Sequence, residues 1–458
     1  MKTHHYIFLS TFLFVALFYN ESIGLNLGIL GLIYSISIFA KTPSNHRTKM
    51  FYFLFGTSIL SSFAWAWFGD FSSFLALVIS LLMLSFRSKQ TKLKTFMVFP
   101  VFITNFFTAI CRVFSFEEWI PKGSTSGLWQ KILAFVLIPL IFVVVFFAIY
   151  SAGSDSFAAV FNHINFDFNV WEILCLSVLG FFIAFNYYNF IVERVIYKNN
   201  HVLSNEFSSP QKEVKSTFSF LDFDAERTSG VVSLLLLNVM LIFFIGTYTF
   251  EQFYQTEKSP NYMSEETHNR VEAVIGSIVM AIVVILFYFK SSFNFDAKNI
   301  WLKRLAKLWI VLNLVLIVVT AVKNTEYLIL HAFTYKKLGV YAFLLLSAIG
   351  LVVTFIKIQR KKTNAFLFNS MLWAFYGMVL VCSYVNWGGI MTAQNIKRKD
   401  FAIDFHRYSV SFSDRQLLKY AEERKDEALI KKINLGIENE KKKSFLSKIL
   451  FYETIKTQ

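Results

Sequence analysis

Charge is what this chain has least of. Only 16% of its 458 residues are Asp, Glu, Lys or Arg, where a soluble domain carries about 25%. No hydrophilic stretch before residue 386 is long enough to form a soluble domain. Cysteine is nearly absent: Cys111, Cys175 and Cys382 lie far apart in apolar surroundings and form no CxxC pair. Neither a disulfide framework nor a zinc site is therefore indicated, and no metal or other cofactor is called for. Only 6 prolines interrupt the sequence. A P-loop, a dinucleotide fingerprint, a Ser-x-x-Lys pattern and a nucleophile elbow are all missing from any usable context, which weighs against an ATP-driven pump or a familiar hydrolase.

What is there is apolar. Hydrophobic residues make up 55% of the chain, aromatic residues 18%, and phenylalanine alone contributes 55 positions. Mean hydropathy is +0.50. The net charge of +15 does not point to nucleic acid, because no compact basic domain is visible. The lysines and arginines sit instead in loops between apolar runs, where basic residues hold the orientation of a membrane protein.

A helix needs about 20 apolar residues to cross a hydrocarbon core of about 30 Å. Such runs occur near 4–20, 22–40, 50–68, 71–86, 132–150, 171–191, 230–250, 271–289, 308–323, 338–356 and 365–385, eleven in all. The N-terminus, MKTHHYIFLSTFLFVALFYN, resembles a signal peptide but lacks a clean small-x-small site and runs on into a second apolar segment. It reads as a retained first helix.

A twelfth candidate, TFMVFPVFITNFFTAIC at 95–111, is decided by charge. If it does not cross, the loops at 41–49, 87–131, 193–229, 290–307 and 357–362 share one side and hold 24 Lys and Arg. The opposite loops hold 5. That asymmetry is the positive-inside signature, with the N-terminus cytoplasmic. Segment 95–111 then reads as interfacial or re-entrant, in keeping with Pro100 and the flanking Lys92, Lys94 and Arg112.

The expectation is an all-α polytopic bundle with four N-terminal helices over 1–86 and a basic, interfacial segment over 87–131. A seven-helix core over 132–385 and an extracytoplasmic helical tail over 386–458 complete it. In the tail, SFSDRQLLKYAEERKDEALIKKI opens with a Ser/Asp capping signal and carries Leu417, Leu418, Ala421, Ala428 and Leu429 in a helical pattern. KKKSFLSKILF follows as a basic amphipathic piece. Segment 151–170 places Phe157, Val160, Phe161, Ile164 and Phe168 on one helical face, with Ser154 or Asp155 able to cap it. It reads as an interfacial helix, with a plain loop as the alternative.

Polar residues at one membrane face form the candidate site. THNRVEAVIGSIVMAIVVILFYFK, residues 267–290, starts with His268, Arg270 and Glu272. His268 and Glu272 are i, i+4 and share a face, while Arg270 points away. An ordinary interface start, with Glu272 near a helix N-terminus, is the plainer explanation. HxxxE is not the HExxH of a zinc protease, so metal hydrolysis has little support. Asp155, Glu326, His331, Asn386 and Asn395 fall at the same level, and Glu326 or Asp155 is placed to pair with Arg270. Ala273, Ser277 and Ala281, with Gly276 beside them, have the spacing that lets membrane helices approach closely, as do Gly24 and Gly28. Within the apolar runs, Asn186, Asn189, Asn238 and Asn313 read as interhelical hydrogen bonds rather than ligands.

THNRVEAVIGSIVMA, LAKLWIVLNLVLI, FTYKKLGVYAFLLLSAIGL and NWGGIMTAQNIKRKD occur in that order. With SAGSDSFAAVF, they resemble a bacterial family of polytopic membrane proteins known only as domains of unknown function, of the 4173/4153 type. The resemblance covers roughly residues 132–420 and implies no catalytic residues. The expected function is a non-enzymatic inner-membrane protein that binds a ligand, or a membrane or envelope protein, at its outer face. A small-solute transporter or channel is the second expectation, and a membrane-embedded enzyme acting on a lipid or envelope substrate the third. Almost no charge lies at the midplane, which counts against ion coupling.

Overall fold

A computed structural model describes residues 2–120, 138–154, 169–208, 222–254, 260–289 and 292–456. The expected interfacial helix over 155–168 lies outside the described residues. Helices follow one another along the chain: α1 (Thr3–Phe18), α2 (Leu25–Lys41), α3 (Lys49–Phe68), α4 (Phe71–Lys89), α5 (Val98–Phe114), the short α6 (Phe116–Trp119), α7 (Ile138–Gly153), α8 (Val170–Tyr188), α9 (Arg194–Asn199), α10 (Phe223–Tyr254), α11 (Pro260–Tyr288), α12 (Ile300–His331), α13 (Tyr335–Gln359) and α14 (Asn364–Tyr384). The tail adds α15 (Trp387–Asn395), α16 (Ile403–Ser409), α17 (Asp414–Arg424), α18 (Glu427–Lys441) and α19 (Leu450–Glu453). No strand occurs among the described residues, so the all-α polytopic expectation holds.

Eight helices among the described residues are long and apolar enough to cross a membrane. They include seven of the eleven expected runs and, as the eighth, the helix over Thr95–Phe114. Helices α1, α2 and the apolar part of α11 are apolar but shorter. Helix α7 has 16 residues.

The chain divides into two compact units, Met1–Glu21 with Phe102–Ile191, and Ser22–Val101 with Val192–Gln458. In the first, α1 packs along α8. The Ser10 hydroxyl donates to the Tyr188 hydroxyl at 3.2 Å, and Gly180 leaves room for the Phe14 ring. The Asn105 side chain bonds both the N–H and the C=O of Ile191, at 2.8 and 2.6 Å. Arg112 reaches Asn186 at 3.4 Å, and the Trp119 ring sits 6.0 and 5.5 Å from Phe181 and Phe185. Residues 105 to 119 thus touch the end of α8 and the residues just after it, from 181 to 191.

In the second unit, α2, α3 and α4 pack closely because their facing residues are small. Gly28 lies against Ser62 and Ala66, and Gly31 against Ser62 and Leu77. Helix α14 joins them through buried hydroxyls. Tyr376 bonds Thr57 and Ser80, each at 2.8 Å, and Ser61 bonds Ser80 and the Tyr384 hydroxyl, each at 3.1 Å. Such hydroxyl pairs hold membrane helices together at about 0.6–2 kcal/mol each. A second core joins α10 to α13 around Leu234, Ile278, Trp309, Ile310 and Leu351. Asn238 bridges it, donating to Leu305 O at 3.1 Å. Asn313 instead donates to Trp309 O of its own helix.

The buried Arg87 and Lys357 and the partly buried Arg47 sit at helix C-termini in this unit. Arg47 donates to Phe39 O and Thr42 O at the end of α2. Arg87 donates to the carbonyls of Gln90, Thr91 and Leu93 after α4. Lys357 donates to Phe289 O at 2.8 Å, after α11. Terminal helix carbonyls lack partners within the helix and carry partial negative charge, so a cation there is favoured.

The basic loops of this unit meet at one end. His46 contacts Ser88 O at 3.0 Å, Lys94 N donates to Asn200 at 3.0 Å, Thr363 N donates to Asn205 O at 3.2 Å, and the Phe207 and Phe295 rings lie 5.3 Å apart. The other end carries the tail. Helices α17 and α18 bury Leu417, Leu418, Ala421, Ile433 and Ile437, with Phe412, Phe451 and Ile455 closing that core and Phe68 packing against it. The KKKSFLSKILF segment docks on the chain itself: Ser22 N donates to the Ser447 hydroxyl at 2.8 Å and Leu25 N to Lys448 O at 2.9 Å.

Candidate functional site

The turn between α12 and α13 gathers a set of polar groups, of which the sequence had flagged only His331 and Asn395. Lys337 Nζ donates to Ala332 O at 2.7 Å and to His331 O at 3.1 Å. Arg398 adds Leu330 O at 2.6 Å and a two-pronged bond to Asp400 at 2.9 Å on each arm. That guanidinium holds the exposed Asp400 carboxyl below its ordinary range. Asn395 is buried and takes the Phe333 N–H on its oxygen at 2.8 Å while giving a proton to Phe333 O at 3.0 Å. Its amide also meets His406 Nε2 at 2.9 Å. Thr392 meets His406 Nδ1 at 2.8 Å and donates its one proton to Gly388 O. His406 is thus held neutral with its proton on Nδ1, and burial pushes the imidazole below its ordinary value.

The other sequence candidates are placed differently. Asn386 caps α15, accepting from Gly389 N at 2.7 Å and donating to Phe412 O at 3.1 Å. The His331 ring lies 4.6 Å from the Tyr327 ring. Glu326 is exposed and pairs with Lys323 at 2.9 Å. Glu272 is exposed on α11. Asp155 and the side chains of His268 and Arg270 lie outside what is described. On α11, Ala273 is exposed and Gly276 has nothing within 4 Å of an added Cβ. Of the expected small residues, Ala281 is buried in the core and Ser277 is partly buried, while Val274, Ile278 and Ile285 supply the rest of the packed stripe. Gly24 meets the Ser447 and Lys448 carbonyls of the tail rather than a neighbouring helix.

Beside the α12–α13 turn lies a groove of ≈ 480 Å³ between α13 and α14, under the tail. Its walls are Leu338, Ala342 and Leu345 from α13 and Met378, Val381 and Val385 from α14, with Phe68 and Phe412 at its end. Leu345 and Val381 are 55% and 51% exposed. They sit on apolar helices of spanning length, so the groove opens sideways, toward lipid. Asp70, Ser72, Tyr335, Tyr341, Asn386 and Trp387 supply polar groups at the tail-covered part. This combination of apolar walls and a few convergent polar groups, at a volume between about 300 and 1,000 Å³, is that of a small-molecule site.

Asp70 is positioned by a tight turn. Gly69 closes α3 at φ 62°, a left-handed conformation that glycine adopts without strain. Asp70 then caps α4, accepting from Ser73 N at 2.8 Å and from the Ser72 hydroxyl at 2.9 Å. Of the groove's polar residues, sequence reasoning singled out only Asn386. WFGDFSS carried the signal for Asp70, since a two-residue connection with a capping acid stands where two apolar runs meet.

The model of the family described as Domain of unknown function (DUF4153) matches residues 49–421. Helices α13 and α14, the groove between them and the Asn395–His406 pair all fall within that match. Neither a curated protein nor a solved structure matches the chain.

Proposed function

The chain belongs to this DUF4153 family, and we propose that it is a non-enzymatic membrane protein that holds an amphiphile in the α13–α14 groove. The observation that carries this is the groove's polarity: apolar walls open to lipid, ending in a small polar set beneath the tail. A lipid-like molecule has that same division along its length. Asp70 is the only carboxylate among the described lining residues, and no histidine lines the groove. A binding role therefore fits better than acid–base chemistry, which needs a proton donor and acceptor in one site.

The charge asymmetry of the loops favours a groove at the outer leaflet of the inner membrane, with the N-terminus cytoplasmic and the tail outside. The shallow contacts of α5–α6 along α8 support the re-entrant assignment for 95–111.

Gly339 supplies the test. It lines the groove, and a Cβ added there meets nothing within 4 Å. Gly339→Leu fills the groove without displacing the fold, and replacing a helical glycine by leucine adds up to about 1 kcal/mol of helix propensity. The variant, purified in mild detergent, is expected to retain about one amphiphile fewer per chain by native mass spectrometry, with equal or higher thermal stability. Unchanged retention overturns the proposal.

A further inference from the structure

We propose that the groove's occupant carries an ammonium headgroup, held by Asp70; this rests on the groove being an amphiphile site. Both hydrogen bonds to the Asp70 carboxylate described above come from neutral donors, Ser73 N and the Ser72 hydroxyl. A carboxylate has about four acceptor positions, so two remain for a ligand. No lysine, arginine or histidine is among the described residues lining the groove. Of the two lysines at the start of α13, neither of which lines the groove, Lys336 is exposed and Lys337 is committed to the carbonyls of Tyr327, His331 and Ala332. The α4 N-terminus offsets part of the charge, equivalent to about half a positive unit.

A carboxylate beside apolar walls is stabilised further by a cation, and an anionic headgroup would be repelled there. An ammonium group donates up to three hydrogen bonds. Tyr335 and Trp387, at the same part of the groove, offer ring faces that favour a cation. An alkyl chain along Leu338, Ala342, Val381 and Met378 completes the fit.

The test uses the full chain in a neutral detergent and displacement of a fluorescent alkyl probe by tetradecylamine, tetradecanol and tetradecyl sulfate at neutral pH. Tetradecylamine is expected to bind about 10-fold or more tightly than tetradecanol, the gain of one charge-assisted hydrogen bond. Tetradecyl sulfate is expected to be the weakest. Asp70→Asn keeps an N-cap oxygen on α4, and is expected to bring amine and alcohol to equal affinity without weakening the alcohol. Gly339→Leu is expected to abolish all three. Equal binding of amine and alcohol by the parent chain, with both lost in Gly339→Leu, overturns the headgroup assignment and leaves the groove as the site. Displacement unaffected by Gly339→Leu overturns the groove itself, and the headgroup with it. The comparison of ligands on the parent chain decides the matter even if Asp70→Asn does not fold.

Discussion

His406 shows what a single buried side chain does in the tail. Thr392 spends its proton on Gly388 O, and Asn395 is fixed by its two bonds to Phe333. Both imidazole nitrogens are therefore committed to one neutral tautomer, and protonation would set an N–H against the Asn395 amide. With the folded value pushed down, the unfolded chain binds the proton more readily, from its ordinary value of about 6.5. The stability tied to His406 is complete above that value and declines as pH falls toward the folded one. Hydrogen-exchange protection across α15–α18, after correction for the pH dependence of the intrinsic exchange rate, is expected to fall between pH 7.5 and 5.5. In His406→Gln, protection is expected to be lower at pH 7.5, by about 1–3 kcal/mol for the disturbed buried bonds, and its decline with acid shallower. An identical acid dependence in parent and variant would rule this coupling out. The sequence singled out Asn395 for its level in the chain and held no hint of its partners. Phe333 lies 62 residues away, and no local pattern records such a pairing. His331 and Glu326 were flagged for their level in the same way, yet the ring of one packs on Tyr327 and the other pairs with its neighbour on the same helix.

At the scale of elements, hydropathy located each run because burial in lipid and helix formation demand the same thing: every backbone polar group satisfied inside its own segment. Hydropathy does not record where a helix ends. Helix α12 runs 32 residues, Ile300–His331, about twice its apolar run, because Lys303, Arg304, Lys323 and Asn324 continue the helix beyond it. The packed face of α11 was caught only in part, at Ala281, for a related reason: small residues mark close approach only when they lie on the buried stripe. Segment 95–111 illustrates the opposite limit. Its composition suffices for a span, whereas loop charge and its contacts with the end of α8 speak for a shallow course. Single cysteines at 90 and 120, in a chain with the three natural cysteines replaced, are expected to react with an impermeant maleimide from the cytoplasmic side only. Labelling of 120 from the outside would make the segment a span and require another reversal before α8.

At the scale of the whole molecule, the tail is the part whose placement depends most on distant contacts. The basic, amphipathic look of KKKSFLSKILF suggested a lipid surface or a partner; part of its apolar face packs on this chain, while Phe445 stays 70% exposed. Phe451 and Ile455 are buried in the tail core, and Ile449 packs on Gly69. Each such side chain contributes about 1.5–3 kcal/mol when fully buried, so loss of the segment is expected to release the tail. Ending the chain after Ser444 removes these contacts together with the bonds to Ser22 and Leu25. Gly24→Val reaches the same interface with the chain intact, since its side chain would overlap the Ser447 backbone. Gly436→Ala is the control: it lies on α18, and an added Cβ there meets nothing within 4 Å. Limited trypsin digestion of the purified protein is expected to cut the Lys- and Arg-rich α17–α18 region at least several-fold faster in the truncated chain and in Gly24→Val. Gly436→Ala is expected to match the parent or resist slightly longer, through better helix propensity. Because the tail covers the groove, retained amphiphile is expected to fall in the two released variants and to hold in the control. Parent-like digestion of both released variants would mean that the tail stands without its C-terminal segment. Rapid digestion with full retention would mean instead that the groove does not need its cover.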